Sequence, residues 1–535
     1  MRSACLALIA IASFAHAEEG VQTATGYVFH DVNANGVREP GEPGVHRVLV
    51  SNGRDVVRTA PDGSYEIQVD DDDILFVCKP RDWMVPVDEN GLPQHHYLHK
   101  PGGSPDLKYG GVAPTGPLPE SVDFPLVPHE ESERFSVILF GDPQPYSIEQ
   151  VDHFKNDIMP EVLRYLDDDD AAFGATLGDI VGDDLDLFAP LNDVIGAAGI
   201  PWLNVYGNHD MDFDAPGDEH ADETFNRVYG PTTYAYRVAN IHFIVMDNVL
   251  YDGQRDNGKN GGYRAGITDE QQTFLRNYFY AASDGAGENE RFVLLMHIPA
   301  VEFDDLMSDL FGDEIPSDAP QRIMLSVGAH WHRHGDHMIE VRDDRGNAAI
   351  HHHITNVTTS GSWWQGQPDE YGIPHTMMRD GKPNGWSVLT FDPDLPHRYE
   401  IRYKAARRPW DDQLHIHAPD RVRIGSRDDR TVTVNLWSGN QLSQVQVRYV
   451  HTQSGDTTAW RTIPATRGVD PFWARLKRLE ARGKAPEMTG LDPETWLWID
   501  QMPETLRPGS YTIEVRETNR YGHVHTATRI VRVTE

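Results

Sequence analysis

Residues 22–128 show short runs in which apolar and polar positions alternate, as in Val48-Leu49-Val50 and Tyr65-Glu66-Ile67-Gln68-Val69, broken by turns such as Pro61-Asp62-Gly63. Period-two runs bounded by Gly, Pro and Asp predict strands, and several in succession predict a small β-sandwich. Residues 134–391 change pattern. Phe135 to Phe140 is apolar apart from Ser136, as expected of a strand covered on both faces. Ile148, Val151, Phe154, Ile158, Val162 and Leu166 recur at three- and four-residue spacing, which predicts one helix lying on a sheet. Thr268 with Gln271 forms a capping box ahead of Phe274, Leu275 and Tyr278. Strands alternating with helices predict an α/β layered domain. Alternation returns over 397–535, in Val432-Thr433-Val434-Asn435-Leu436 and Val445-Gln446-Val447-Arg448-Tyr449, with a helical insertion expected near 472–481. The expectation is a multidomain chain: a central α/β unit at 134–391, flanked by two small all-β domains at 22–128 and 397–535.

The first residues modify this picture. Met1-Arg2-Ser3 is a basic start, Ala4 to Phe14 is apolar, and Ala15-His16-Ala17 offers small residues where a signal peptidase reads. This predicts a secretory signal at 1–17, too short to span a bilayer, and a periplasmic or secreted mature chain starting near Glu18. Cys5 comes too early for a lipobox, and no later segment predicts membrane insertion. With Cys5 removed only Cys78 remains, so no internal disulfide is expected.

The net charge of −36 is uneven: residues 392–535 hold 22 Lys/Arg against 19 Asp/Glu, and the rest hold 25 against 64. So acidic a surface repels polyanions, and no nucleic acid partner is expected.

Five apolar runs in the central unit each end in a polar cluster. They close on Gly141-Asp142-Pro143-Gln144, Gly178-Asp179, Gly207-Asn208-His209-Asp210, His297, and Gly328-Ala329-His330-Trp331-His332. Loops at the carboxyl ends of adjacent strands share one sheet edge, so these residues can converge. Two Asp, one Asn and three His suit two borderline divalent cations. Cations roughly 3.5–4 Å apart clamp a phosphate, acidify a bridging water and neutralise charge in an in-line displacement.

This ordered set resembles the calcineurin-like metallophosphoesterase family, with its D-x-H, G-D, G-N-H-[DE], lone His and G-H-x-H motifs. The resemblance implies a central metallophosphoesterase β-sandwich with helices, and two divalent transition metals (Mn, Fe or Zn). It makes Asp179 the bridging carboxylate. Asp142 and His332 would bind the first metal, and Asn208, His297 and His330 the second. His209 and Asp210 would be the catalytic residues, His209 protonating the leaving oxygen or steadying the transition state beside Asp210. Gln144 stands where most members have His, so it is either a weaker, harder ligand of the first metal or a neighbour of the true ligands. A branch of the family shares this D-P-Q form and adds N- and C-terminal β domains. Gly182 stands where purple acid phosphatases place Tyr, which argues against a tyrosinate-iron centre.

Outside the motifs, Ser360-Gly361-Ser362-Trp363-Trp364-Gln365-Gly366 and Asp380-Gly381-Lys382-Pro383-Asn384-Gly385-Trp386 are dense in Gly, Trp and turn residues. Two readings stand: Trp363, Trp364 and Asn384 wall a substrate pocket, or the tryptophans pack a domain junction. His351-His352-His353 cannot share one ion, because neighbours on a strand face opposite ways. Thr59-Ala60-Pro61-Asp62-Gly63-Ser64-Tyr65 resembles the strand–turn–strand of prealbumin-like modules. In the same domain Asp31, Asn33, Asn35, Glu39 and Glu42 fall at the oxygen positions of a calcium loop, with Gly36 at its turn. An Asx-rich turn without an ion is the other reading of that loop.

These observations predict an exported dinuclear phosphoesterase. It would cleave a small phosphate monoester or diester with a metal-bridging hydroxide, and a structural calcium would stiffen its first domain. The rival is a non-catalytic surface-binding or adhesion protein with an inert metal-bearing core.

Overall fold

Alternate residues of the strand Phe135–Phe140 enter two different cores. Val137 and Leu139 pack with Phe243, Val293 and Leu325 of a facing sheet. Ile138 and Phe140 pack with Val151, Phe154 and Val162 of overlying helices. Successive side chains on a strand point to opposite faces, so a continuous apolar run is what a strand between two layers requires. The chain is described from a computed structural model over residues 21–255, 258–284, 289–343, 345–425, 429–440, 442–482 and 490–535. The expected secretory signal at 1–17 lies outside these residues.

The central unit is two sheets face to face. One has the order Trp202–Val205, Phe173–Leu177, Phe135–Phe140, Gly385–Phe391, Tyr399–Ala405. The other runs Tyr234–Val238, Ile241–Val245, Arg291–Leu295, Ile323–Gly328, Ala348–Thr355, Gly335–Arg342. The first three strands of the five-stranded sheet are mutually parallel. In the six-stranded sheet the four strands from Ile241–Val245 to Ala348–Thr355 are parallel too. Edge-to-face rings of Phe173 and Phe243, 4.8 Å apart, seal the inter-sheet core. All five motif-bearing strands therefore end along one rim of the sandwich.

Before the central unit lie two four-stranded sheets built from residues 22–128. In the strand Ser64–Val69 burial alternates strictly, as its sequence predicts. Gly63, at φ +82°, sits where a β-carbon would fall 2.4 Å from the Val28 carbonyl oxygen, so the turn at 61–63 needs glycine. After the central unit, strands from Leu414–His417 to Val524–Thr534 form a four-stranded and a five-stranded sheet around a core that includes Val434, Val447, Trp498 and Ile513. The helix Pro471–Glu480 is inserted there, capped by the Asp470 carboxylate, which accepts from the Trp473 N–H.

Two expectations need correction. The apolar spacing over 148–166 spans two helices, Ile148–Asp157 and Met159–Asp168. Pro160 has no N–H to continue the first helix, and it fits the opening turn of the second. The boundary at 397 also moves. Tyr399–Ala405 pairs along its whole length with Gly385–Phe391 and is an edge of the central five-stranded sheet. Alternation reveals a strand but not the sheet it joins, which is why the pattern alone misplaced it.

Candidate metal centre

Five residues in the polar clusters have left-handed backbones: Asp142 at φ 42°, Gln144 at 43°, Asp179 at 47°, His330 at 66° and His332 at 50°. Non-glycine residues there are strained, and such strain gathers where a loop must aim side chains inward. Two glycines make the crowding possible. A β-carbon on Gly207 would lie 2.0 Å from the Asp179 amide nitrogen, and one on Gly178 2.4 Å from His297 Nδ1.

The structure brings Asp179, His297 and His330 together. Their ligand atoms lie within 4.8 Å of one another, the one such trio of His, Cys, Asp or Glu among the described residues. His297 Nε2 is 3.2 Å from Asp179 Oδ1, 3.0 Å from Asn208 Oδ1 and 3.1 Å from His330 Nδ1. The other His297 nitrogen, Nδ1, lies 2.9 Å from the Leu177 carbonyl oxygen. That bond takes the Nδ1 proton, and although burial lowers the ring's pKa, Asp179 raises it to about 9, so Nε2 holds one further proton that it can give to only one of the carboxylate oxygen, the amide oxygen and the second ring nitrogen around it. Lone pairs crowd together in this way where a cation can take them up.

Beside this trio lies a second group. His332 is oriented by Gly361, whose carbonyl is 2.7 Å from Nδ1, and its Nε2 is 4.0 Å from Asp142 Oδ1. Asp142 is fully buried and accepts from the His330 N–H at 3.1 and 3.2 Å. Gln144 is also fully buried; its Nε2 lies 3.4 Å from Asp179 Oδ2, and its Oε1 has no hydrogen-bond partner. A buried amide oxygen without a partner costs free energy unless something fills the gap. Asp179 thus touches both groups, one oxygen toward each.

Electrostatics point the same way. Burial and the neighbouring Asp179 push the Asp142 carboxyl up to about 8 against the pull of His297. Burial also raises Asp179, but His297 and His209 outweigh it and hold its carboxyl below the ordinary range. Burial drops His330 to about 3 and His332 to about 4, which keeps both neutral and able to donate lone pairs. The residues fit divalent cations: neutral imidazoles, buried carboxylates and an orphaned amide oxygen converge on one rim.

His209 stands at the edge of this cradle. Its N–H donates to Asp179 Oδ1 at 2.9 Å, and its ring Nδ1 lies 2.6 Å from Asp183 Oδ1. Burial lowers its pKa, but Asp179 and Asp183 together raise it to about 9, so the ring carries its proton at neutral pH. Asp210 is the other catalytic residue the motif implies, and its bonds show a structural part. Asp210 is fully buried and accepts from the N–H groups of Ile180, Val181 and Gly207, so it ties two cluster loops together.

The Trp/Gly segment divides. Trp363 packs its ring 4.3 Å from that of His332. Trp364 is buried and donates from Nε1 to the Pro143 carbonyl, and Asn384 is buried and donates to Asp157 and to the Thr359 carbonyl. Trp364 and Asn384 therefore brace the loops from inside through these N–H groups. His351 and His353 share Ser326 Oγ, while His352 lies against Asp336 on the other face, as strand geometry requires.

The 31–42 loop is closed by its own groups. Asp31 accepts from the Asn35 and Gly36 N–H groups, Glu42 from those of Val32 and Glu39, and Asn33 donates to Glu39. Asn35 Oδ1 accepts from the Val37 N–H, and Gly36 turns at φ 75°.

Sequence reasoning missed Asp183, Asn248, Tyr146 and Tyr263. Asn248 Oδ1 accepts from the N–H groups of His297 and Ile298, fixing the His297 loop. Tyr146 lies edge-on to His209 and Tyr263 edge-on to His330. Asp183, four positions past Asp179, carried the one local signal: acidity beside the Gly-Asp cluster.

Comparisons with known proteins match two regions. Residues 32–108 match the N terminal of calcineurin-like phosphoesterase, and residues 353–525 match the C terminal of calcineurin-like phosphoesterase. No curated protein matches. Among solved structures, a purple acid phosphatase, PPD1, from yellow lupin (Lupinus luteus) seeds is 10% identical; the alignment covers 83% of this chain and 69% of that one, at a TM-score of 0.30. CopC from Methylosinus trichosporium OB3b is 16% identical over 22% of this chain and 85% of that one, at a TM-score of 0.13. Both scores are too low to carry an argument. The family matches lie on either side of the residues from Asp142 to His332, so the metal centre stands on its own geometry.

Proposed function

We propose that this chain, which carries the N- and C-terminal regions of calcineurin-like phosphoesterases, is an exported two-metal phosphoesterase acting on a small phosphate monoester or diester. The observation that carries the reading is the convergence of His297 Nε2, His330 Nδ1, Asn208 Oδ1 and Asp179 Oδ1, beside the orphaned Oε1 of Gln144.

Asp179, His297, His330 and Asn208 would hold one cation, and Asp179, Asp142, His332 and Gln144 the other. Bound there, the metals supply Lewis acidity and an activated water for in-line attack on phosphorus. The protein's own residues do the rest. Leu177 and Gly361 fix the two imidazoles in the tautomer that donates Nε2. Asp179 and Asp183 hold His209 protonated, and the Asp183 bond to Nδ1 orients the ring so that it gives a proton to the departing oxygen. Asp210 keeps the Asp179 and Asn208 loops in register. The amide of Gln144 favours a harder ion beside Asp142 and His332 than imidazole would, which makes Mn a better candidate there than Zn.

The export part rests on residues 1–17 and is tested by fractionating cells that express the full chain. Calcium in the 31–42 loop rests on the oxygens of Asp31, Asn33, Asn35, Glu39 and Glu42, and would show as a calcium-dependent rise in thermal stability.

The test of activity is turnover of p-nitrophenyl phosphate and bis-p-nitrophenyl phosphate with Mn, Zn or Fe supplied. Turnover abolished by Asp179→Asn in a folded protein supports the reading. Metal-loaded protein that turns over neither substrate favours the non-catalytic surface protein.

A further inference from the structure

Three aromatic rings stand against three different histidines of the centre. Tyr146 is 6.1 Å from His209, Tyr263 is 5.9 Å from His330 at 83°, and Trp363 is 4.3 Å from His332. Tyr146 and Tyr263 leave 39% and 42% of their surface in solvent, far more than the rings that form the cores. Large rings part-exposed beside a polar centre, with Trp363 half-buried among them, leave apolar surface open to solvent there.

The backbone is arranged to put them there. Trp363 and Trp364 are consecutive non-glycine residues in the left-handed region, at φ 53° and 55°. Trp364 is anchored inside by its bond to Pro143 O and its edge contact with Phe154. The strained pair thereby sends one tryptophan into the core and the other to His332. Gly182 serves Tyr146 in a similar way, since a β-carbon there would lie 2.6 Å from the tyrosine ring. Tyr263 is carried by the two-stranded hairpin Val249–Tyr251 and Tyr263–Ala265, paired directly with Tyr251.

We infer that the centre takes a phosphate ester whose substituent carries a flat ring, stacked against Tyr263 and Trp363 while the phosphate sits among the histidines. This rests on the phosphoesterase reading and narrows it. Aromatic faces accept any planar ring, a phenol's or a nucleobase's, and favour either over an alkyl group.

The test is the affinity of metal-loaded protein for methylphosphonate, phenylphosphonate and a nucleoside 5′-monophosphate. It is read as quenching of tryptophan emission, which does not depend on turnover, and as inhibition of bis-p-nitrophenyl phosphate hydrolysis. The ring-bearing probes should bind roughly tenfold or more tightly than methylphosphonate. In Tyr263→Ala and Trp363→Ala that ratio should fall toward one, and Trp363→Phe should restore most of it. Tighter binding of phenylphosphonate than of the nucleotide assigns the ring to a phenol, and the reverse to a nucleobase; either supports the inference. Equal affinity for all three probes in an enzyme that turns over its diester overturns this inference alone. Metal-loaded protein with no turnover overturns the phosphoesterase reading instead.

Discussion

Two clusters rich in oxygen and nitrogen ligands lie in this chain, and they use their lone pairs in opposite ways. In the 31–42 loop each carboxylate accepts from loop N–H groups, Asp31 from two and Glu42 from two. In the rim cradle three atoms with lone pairs crowd around His297 Nε2, which has a hydrogen for only one of them, and Gln144 Oε1 meets none of the protein's hydrogens. Both have the composition of a cation site, but only the second leaves its ligands short of partners. Composition shows where a cation fits, and hydrogen-bond accounting shows where the protein depends on one.

The comparison breaks most readily at Asp179. Asp179→Asn removes the one carboxylate that touches both ligand groups, and should lower kcat/KM by about 10³ or more while the fold stays intact by circular dichroism. Asp31→Asn in the other cluster should leave kcat/KM unchanged. If the two substitutions cost activity alike, the two clusters do not differ in their dependence on a cation.

A smaller effect is expected at the acid. His209→Gln should cut kcat by about 10²–10⁴ for an alkyl ester and much less for p-nitrophenyl esters, whose leaving group needs little protonation. Metal content, measured on the same sample, should not change.

Acid sharpens the comparison by acting elsewhere. Burial holds His95 at about 3, and His96, His351 and His415 at about 4. In the unfolded chain these rings titrate near their ordinary value of about 6.5, so below it the unfolded state binds more protons. The stability these rings contribute should be full above about pH 6.5 and lost as pH drops toward about 4, against the opposite trend of carboxyls that burial raises, such as Asp222 at about 7. Thermal melting between pH 8 and 5 checks this, and loss of activity at low pH must be corrected for it. The acid-side slope should be smaller in His95→Gln and His351→Gln than in the parent, and an unchanged slope would contradict it.

The smallest effect belongs to calcium. A loop that already satisfies its own oxygens gains little from an ion, so millimolar calcium should raise stability by about 1 kcal/mol or less. A large rise would show that the loop's hydrogen bonds are a poor substitute for the cation.

Much of this was legible in the amino acids. Apolar runs ending in Gly-Asp, Gly-Asn-His and paired histidines marked the strands and their rim, because a strand between two layers has no choice but to be apolar. What the pattern could not show depended on non-local geometry. The left-handed backbones of Asp142, Gln144, Asp179, His330 and His332 have no composition signature, since glycine is absent from those positions. Trp363 and Trp364 read alike, yet one φ-strained turn sends them to different environments. Tyr263 reaches His330 only through a hairpin whose sequence carries no motif. Asp210 looked catalytic beside His209, and only its three backbone donors reveal its bracing role.

The most direct measurement is elemental analysis of the purified chain, after incubation with Mn, Fe or Zn and removal of free metal. Two bound transition-metal ions per chain, lost together in Asp179→Asn, is the expected result. A protein that hydrolyses phosphate esters while holding no such ion would contradict the account.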